Sequence, residues 1–308
     1  MQKIPNTGRW ARHSLAALAL LMLPAASLAQ EVTVVTAAGP VTAAHAPRTV
    51  VALDLAAIDT LSALGVPLAG VPAFTPPAFL APAIAGLPTV GTLFEPDFEA
   101  LAVMAPDLIV AGGRSQPMAG SLARIAPTLD MTITGTDVMA QARERIAAYG
   151  AIFDREEQAT ALAEDLTTRL EVARAAVDGR GNALILMTSG STLSAYGADS
   201  RFGWLHRDIG LPQAYGEITA ENHGEAVSFE FIAEVNPDWL LILDRGAAIG
   251  QAGQAAAVTL DNPLVMGTTA GRNGQIVYLD SAALYLATGG AQAMAILLDQ
   301  ITEAFGQD

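Results

Sequence analysis

Short apolar runs of strand length alternate along this chain with stretches whose apolar residues recur every three or four positions. The runs are Val50-Val51-Ala52-Leu53, Leu68-Ala69-Gly70-Val71, Leu108-Ile109-Val110, Ala183-Leu184-Ile185-Leu186-Met187, Trp239-Leu240-Leu241-Ile242-Leu243 and Ile276-Val277-Tyr278-Leu279. Bounded by Gly, Pro and Asp, they read as buried strands. Residues 31–41 alternate in the β manner, 193–196 give another strand, and Met131-Thr132-Ile133 is expected to close the strands of the first half. Helical spacing covers 55–64, with Asp54 as its cap and Gly65 as its stop, then 138–153 and 291–305. A Pro-rich surface loop lies between, with Pro72, Pro76, Pro77, Pro82 and Pro88. Residues 155–178 contain neither Gly nor Pro and carry one apolar stripe, Leu162, Leu166, Leu170, Ala173 and Val177. At full helical rise this segment spans about 36 Å, which suits a rigid strut better than a strand-to-strand crossover. The pattern predicts an α/β protein: two Rossmann-like lobes joined by one long helix, with a ligand cleft between them. The expected divisions are a leader at 1–29, an N-terminal lobe at 30–154, the connecting helix at 155–179 and a C-terminal lobe at 180–308.

Within this alternation one unit occurs twice. Phe98-Glu99, six residues, Pro106-Asp107, six residues and Arg114 return without a gap, 131 positions later, as Phe229-Glu230, Pro237-Asp238 and Arg245. Each copy reads as helix, Pro-Asp turn, buried strand, then an arginine just past the strand's carboxyl end, where open α/β sheets bind ligands. Two lobes each offering an arginine there suggest a cleft that closes on an anion.

Composition narrows the class. Lys3, Arg9 and Arg12 precede an apolar run at 15–23, and Ser27-Leu28-Ala29 offers small residues for cleavage, so 1–29 reads as a secretory signal peptide. Export to the periplasm is the expectation. No later segment approaches the length of a membrane span. The chain has no cysteine, which removes disulfides, thiolate metal sites and an N-terminal lipid anchor from the expected chemistry. Without the leader, 31 acidic residues face 13 basic ones, a net charge of −18, and every remaining cation is an arginine. Such acidity argues against nucleic acid as a partner.

Candidate chemistry centres on arginine. Arg201 sits in the glycine-flanked loop Tyr196-Gly197-Ala198-Asp199-Ser200-Arg201-Phe202-Gly203, Arg114 follows Gly112-Gly113, and Arg245 precedes Gly246. A guanidinium is planar, permanently charged and grips oxyanions bidentately. The plainer alternative is that each pairs with a neighbouring acid: Asp199 for Arg201, Asp244 for Arg245. His223, in a polar loop, and Tyr285, before Leu286-Ala287-Thr288-Gly289-Gly290, are each able to ligate a metal, or merely to hydrogen-bond and pack. His206 reads as structural and His45 as part of an N-terminal linker. Glu99 and Glu230 occupy equivalent places on separate lobes, too far apart for a catalytic carboxylate pair; they suit docking to a two-fold partner, or are ordinary exposed helix surface. No Gly-x-Ser-x-Gly elbow, Walker loop, His-Glu-x-x-His or Rossmann glycine fingerprint occurs. An enzyme is not expected.

The chain resembles the periplasmic ferric-siderophore-binding proteins of ABC importers, the helical-backbone (class III) substrate-binding family. The residues that carry this are Arg48-Thr49-Val50-Val51-Ala52-Leu53-Asp54, Asp59-Thr60-Leu61, Ala63-Leu64-Gly65-Val66, Glu95-Pro96-Asp97 and Pro106-Asp107-Leu108-Ile109. Ser194-Ala195-Tyr196-Gly197, Ser200-Arg201-Phe202-Gly203, His223-Gly224, Asn236-Pro237-Asp238, Asp244-Arg245 and Tyr278-Leu279-Asp280 with Tyr285-Leu286-Ala287 are similar to its catecholate branch. The resemblance implies that Arg114, Arg201 and Arg245 surround catecholate oxygens, that His223 and Tyr285 bind the iron, and that Glu99 and Glu230 meet the arginines of a permease dimer. It implies no permanent cofactor, since the iron arrives as a Fe(III)-siderophore complex, and a monomer. The chain departs from that branch at Ala282-Ala283-Leu284, where bulkier aromatics are usual, and in having no lysine after the leader. Haem, a hydroxamate complex or a corrinoid would call for fewer arginines and more aromatic walls. A secreted hydrolase would need a catalytic dyad.

Overall fold

The computed structural model describes residues 31–218, 223–251, 253 and 255–306, so the signal peptide expected at 1–29 lies outside the described residues. An antiparallel hairpin, β1 (Glu31–Thr36) and β2 (Gly39–Ala44), leads into the first sheet. Strands β3 (Val50–Ala52), β4 (Val71–Ala73), β5 (Thr89–Thr92), β6 (Leu108–Ala111) and β7 (Thr128–Asp130) follow in the N-terminal lobe. The order β3-β6-β7 is parallel, and the parallel pair β4-β5 joins it through a bridge between Val51 and Gly70. The second sheet contains β8 (Ala183–Ser189), β9 (Thr192–Tyr196), β10 (Glu225–Val227), β11 (Trp239–Asp244) and β12 (Ile276–Tyr278) in the order β10-β9-β8-β11-β12. Its β8-β11-β12 part is parallel, while β9 and β10 are antiparallel additions at one edge. Both faces of the parallel strands are covered, which is why they read as continuous apolar runs. Val50 and Ala52 belong to the main core, and Val51, Ile109 and Ala111 to an outer cluster.

The repeat seen in sequence is a repeat in space. Helices Phe98–Met104 and Phe229–Val235 each stop on a left-handed residue, Ala105 (φ 47°) and Asn236 (φ 46°). The Pro-Asp turn then clasps the neighbouring strand. Asp107 accepts the backbone N–H groups of Arg48 and Thr49 at 2.9 and 2.8 Å, and Asp238 accepts that of Asn182 at 3.0 Å. The two donors on Asp107 hold its carboxyl below the usual carboxylate range. β6 and β11 are therefore central strands with matching surroundings, and Arg114 and Arg245 leave their carboxyl ends.

Helix Glu156–Val177 joins the halves. It packs on Val138–Ile152 of the first lobe and on the final helix, Ala291–Phe305. One core runs from the first lobe through Leu166, Leu170 and Val177 to Leu297, Ile301 and Phe305, where Trp239 stacks on Phe305 with ring centroids 3.9 Å apart. The first turn of the final helix is capped from the other lobe. Asp59, fully buried, accepts the backbone N–H of Ala293 at 2.9 Å and of Gln292 at 3.3 Å and the Gln292 side-chain amide at 2.7 Å; Thr60 accepts the N–H of Ala291 at 3.2 Å. Burial pushes the Asp59 carboxyl up to about 6, against the pull of these donors.

Two expectations need correction. The last strand of the first sheet is Thr128–Asp130, not 131–133. The chain turns there because Asp130 accepts both the N–H and the hydroxyl of Thr132, and the buried Arg145 takes the carbonyls of Met131 and Thr132 at 3.3 and 3.2 Å. The Pro-rich stretch 72–88 is not loop throughout either: it includes the end of β4 and the short helix Ala81–Ile84, with Pro82 in its first turn. Among the described residues no helix is long and apolar enough to cross a membrane.

Candidate functional site

Three loops carry the arginines. After β6, Gly112 and Gly113 pass so close to Asp54 that a Cβ at Gly113 would lie 2.9 Å from its Oδ1. Gly113 has φ +51° and donates its N–H to Thr132 Oγ1 at 3.2 Å, and Ser115 exchanges hydrogen bonds with Gly112 at 3.0 and 3.1 Å. This tight turn aims Arg114 across to the other lobe. After β9, Ser200 ties the loop by donating to Gly197 O at 2.7 Å and accepting from Phe202 N at 3.3 Å, leaving Arg201 at its crest. After β11, Asp244 accepts the N–H groups of Ala247 and Ala256 at 3.0 and 2.8 Å and so fixes the turn that launches Arg245.

All three arginines converge on Tyr285, which stands on the helix Ser281–Leu286. Nη2 of Arg114 donates to the Tyr285 carbonyl at 3.3 Å and Nη2 of Arg201 donates to the same carbonyl at 3.0 Å. Nε of Arg245 donates to the Tyr285 hydroxyl at 3.3 Å. The Arg114 and Arg201 guanidiniums lie 5.1 and 4.8 Å from the centroid of the Tyr285 ring, within cation–π range. Neither neighbouring acid neutralises them: Asp199 pairs with Arg207, and Asp244 is spent on its turn. Among the described residues none of the three arginines is in an ion pair.

The electrostatic consequence is a half-buried patch of positive charge around a phenol. Burial alone would push the Tyr285 phenol up, but the Arg245 hydrogen bond and the charges of Arg245, Arg201 and Arg114 together hold it below its ordinary value. Arg201 is lowered, first by burial and further by the charge of Arg114. Asp54, at the N-lobe edge of the patch, is raised to about 6 by burial, with Arg114 pulling the other way. Such an arrangement is complementary to oxyanions, and the phenol within it gives up its proton more readily than an isolated one.

His223 is exposed and joins the cluster through its backbone: its carbonyl accepts the Tyr196 hydroxyl at 3.0 Å. Burial pushes the Tyr196 phenol up to about 12, so it remains a donor. Among the described residues the His223 imidazole makes no hydrogen bond or ion pair, and no group of three or more His, Cys, Asp or Glu is placed to hold a metal. Glu99 and Glu230 are exposed in the first turns of the two equivalent helices. His206 is buried, with Nδ1 2.8 Å from the Leu211 carbonyl, as a structural histidine should be. His45 is not a bare linker residue; it pairs with Asp154 at 2.9 Å.

The sequence reading missed the roles of two residues here. Tyr196, legible as a strand end and as the start of the Arg201 loop, also holds the backbone of the His223 loop. Phe94, in the turn before helix Phe98–Met104, is 64% exposed with its ring centroid 5.9 Å from the Arg114 guanidinium. An isolated aromatic among turn residues was its one sequence signal. A groove of about 650 Å³ lies elsewhere, between helices Val138–Ile152 and Glu156–Val177. It is lined by threonines, alanines and two glutamates around Arg143, and offers no convergence of cations comparable with that around Tyr285.

Residues 50–283 match the family described as periplasmic binding protein. The petrobactin-binding protein YclQ of Bacillus subtilis (strain 168) is 33% identical over 275 residues, covering 83% of this chain and 82% of its own. A crystal structure of YclQ superposes with a TM-score of 0.85 at 30% identity, covering 91% of this chain and 100% of that one. The periplasmic catecholate-siderophore binding protein VctP from Vibrio cholerae gives 0.83 at 30% identity, over 89% and 100%. The ferric-anguibactin-binding protein FatB of Vibrio anguillarum (strain ATCC 68554 / 775) is 28% identical over 277 residues, 87% of this chain and 85% of its own.

Proposed function

This chain belongs to the periplasmic binding protein family, and from that premise we propose that it captures a ferric siderophore of the catecholate type for delivery to an ABC permease. The observation that carries the reading is the meeting of Arg114, from one lobe, with Arg201 and Arg245, from the other, around Tyr285, with no carboxylate among the described residues to neutralise them. Relatives of similar length bind petrobactin and ferric anguibactin by name, and a structural neighbour is a catecholate-siderophore binder.

The chemistry follows from charge. Fe(III) held by two doubly ionised catecholates is a monoanion with two coordination positions open. Ligand oxygens take over the guanidinium N–H groups that Arg114 and Arg201 now spend on a backbone carbonyl, exchanging neutral acceptors for charged ones. Tyr285, already held below its ordinary acidity range by the same cations, supplies a phenolate to one open position at modest cost, and the His223 imidazole supplies the other. A hexadentate siderophore leaves no open position, and the two side chains then only line the cleft.

Export by the 1–29 leader would place the unanchored protein in the periplasm. Glu99 and Glu230, one per lobe, are the docking points for a permease dimer. The test is a titration with ferric bis-catecholate, followed by its charge-transfer band and by quenching of the buried Trp204 and Trp239. Binding is expected to shift the band. Arg201→Ala should lower affinity by at least ten-fold, and His223→Ala and Tyr285→Phe should weaken tetradentate complexes more than hexadentate ones. An unshifted band with unquenched fluorescence would refute the assignment.

A further inference from the structure

Phe94 is a large apolar side chain held out of the core by a turn built for the purpose. Thr92 Oγ1 accepts the N–H groups of Phe94 at 3.3 Å and Glu95 at 3.0 Å, and Thr92 N donates to Glu95 O at 2.9 Å. Behind the turn Asp97 N donates to Val90 O at 3.0 Å, and Gly91 (φ +90°) passes too close to the Glu95–Asp97 backbone to admit a Cβ. The turn cannot fold back, so the ring stays 64% exposed. Its neighbour is Arg114, whose guanidinium lies between the Phe94 ring at 5.9 Å and the Tyr285 ring at 5.1 Å. The repeat offers no counterpart, because the residue 131 positions on is Glu225. Phe94 is thus an addition to the shared scaffold, placed at one lip of the anion site.

We propose that Phe94 determines specificity for aromatic chelators by packing its ring against an aryl ring of the ligand whose oxygens Arg114 holds. The inference rests on the reading of the site as a ferric-chelate cleft and narrows it: charge is read by the arginines, and the ring bearing the charge is read by Phe94. A catecholate offers both features within one planar group, with its oxygens on the ring itself. An aliphatic hydroxycarboxylate such as citrate satisfies the arginines but leaves the Phe94 face wet. Ring–ring contact adds attraction beyond the apolar area it removes from water.

The experiment compares wild type, Phe94→Leu, Phe94→Tyr and Thr92→Ala, titrated by tryptophan quenching and charge-transfer absorbance. The probes are the ferric complex of a linear bis(2,3-dihydroxybenzoyl) diamine, and ferric citrate. Phe94→Leu, which keeps apolar bulk without a ring, should weaken the bis-catecholate about ten-fold, while Phe94→Tyr stays within about two-fold of wild type. Thr92→Ala, which loosens the turn, should weaken it by about three-fold. Affinity for ferric citrate, whatever its wild-type value, should change less than about two-fold in every variant. A Phe94→Leu protein that binds the bis-catecholate like wild type overturns the inference, as does equal loss on both complexes. Wild type that fails to bind the bis-catecholate at all overturns the siderophore reading itself, and with it this one.

Discussion

Tyr285 has a measurable signature. Of the five tyrosines, Tyr149, Tyr196, Tyr215 and Tyr278 are pushed up, while Tyr285 alone is held down. The first phenolate absorbance step on raising the pH should therefore belong to Tyr285 and vanish in Tyr285→Phe. Arg245→Ala, which removes both a hydrogen bond and a charge, should move that step upward. A step that survives Tyr285→Phe would show that the arginines do not govern this phenol. The sign of the linkage is fixed: a depressed phenol contributes stability above its unfolded value near 10, and the contribution disappears as the pH falls through the lower folded value. The arginines were legible in sequence because each follows a strand with glycine beside it. That Asp199 and Asp244 leave them unpaired was not legible, since adjacency in sequence says nothing about which way a side chain turns. The roles of Phe94 and Tyr196 were illegible for the same reason, lying in contacts with residues 20 and 27 positions away.

Asp59 on helix Leu55–Ala63 is an internal cap for a helix more than 200 residues downstream. Its raised carboxyl makes the sign opposite to that of a surface acid: this contribution is fully present below about pH 4 and is lost as the pH rises through about 6. Asp54 adds a second contribution of the same sign. Urea unfolding across pH 4 to 6 should show wild type losing roughly 1–3 kcal/mol relative to Asp59→Asn, a variant that cannot titrate. Parallel curves would refute the assignment. Asp59→Ala, which strips the acceptor from three donors, one buried and two partly so, should destabilise by about 2 kcal/mol at neutral pH. The long helices were readable to within two residues, because caps, glycines and spacing agree there; short ones such as Trp204–Arg207 and Pro263–Met266 were not, having too few residues to show a period. The last strand of the first sheet was misplaced by three residues because Arg145, from a distant helix, claims the carbonyls that a longer strand would have used.

Across the molecule, the α/β alternation and the long joining helix were readable from periodicity, and the duplicated Pro-Asp clasp fixed the equivalence of the halves. The edge strand Glu225–Val227 was not readable, since three residues paired on one side leave too short a pattern. The 22-residue linking helix buries its stripe against both lobes, so ligand-driven motion should be a small rocking rather than a wide hinge opening. Glu99 and Glu230 ride on opposite lobes, so such rocking would alter their separation. Glu99→Ala with Glu230→Ala should leave siderophore affinity unchanged while abolishing uptake in cells, read as transport of labelled iron. A double variant that still imports normally would remove both residues from the docking role.

The cap that Asp59 places on the final helix also has a consequence for biogenesis. During synthesis the N-terminal half emerges with a carboxylate destined for the interior and no donors yet made to receive it. Those donors exist only once residues 291–293 are made, so the first lobe completes this contact only when the last helix has docked. The seam between the first lobe and the final helix is thereby tied to the chain's very end: a protein shortened before residue 291 leaves Asp59 without its partners.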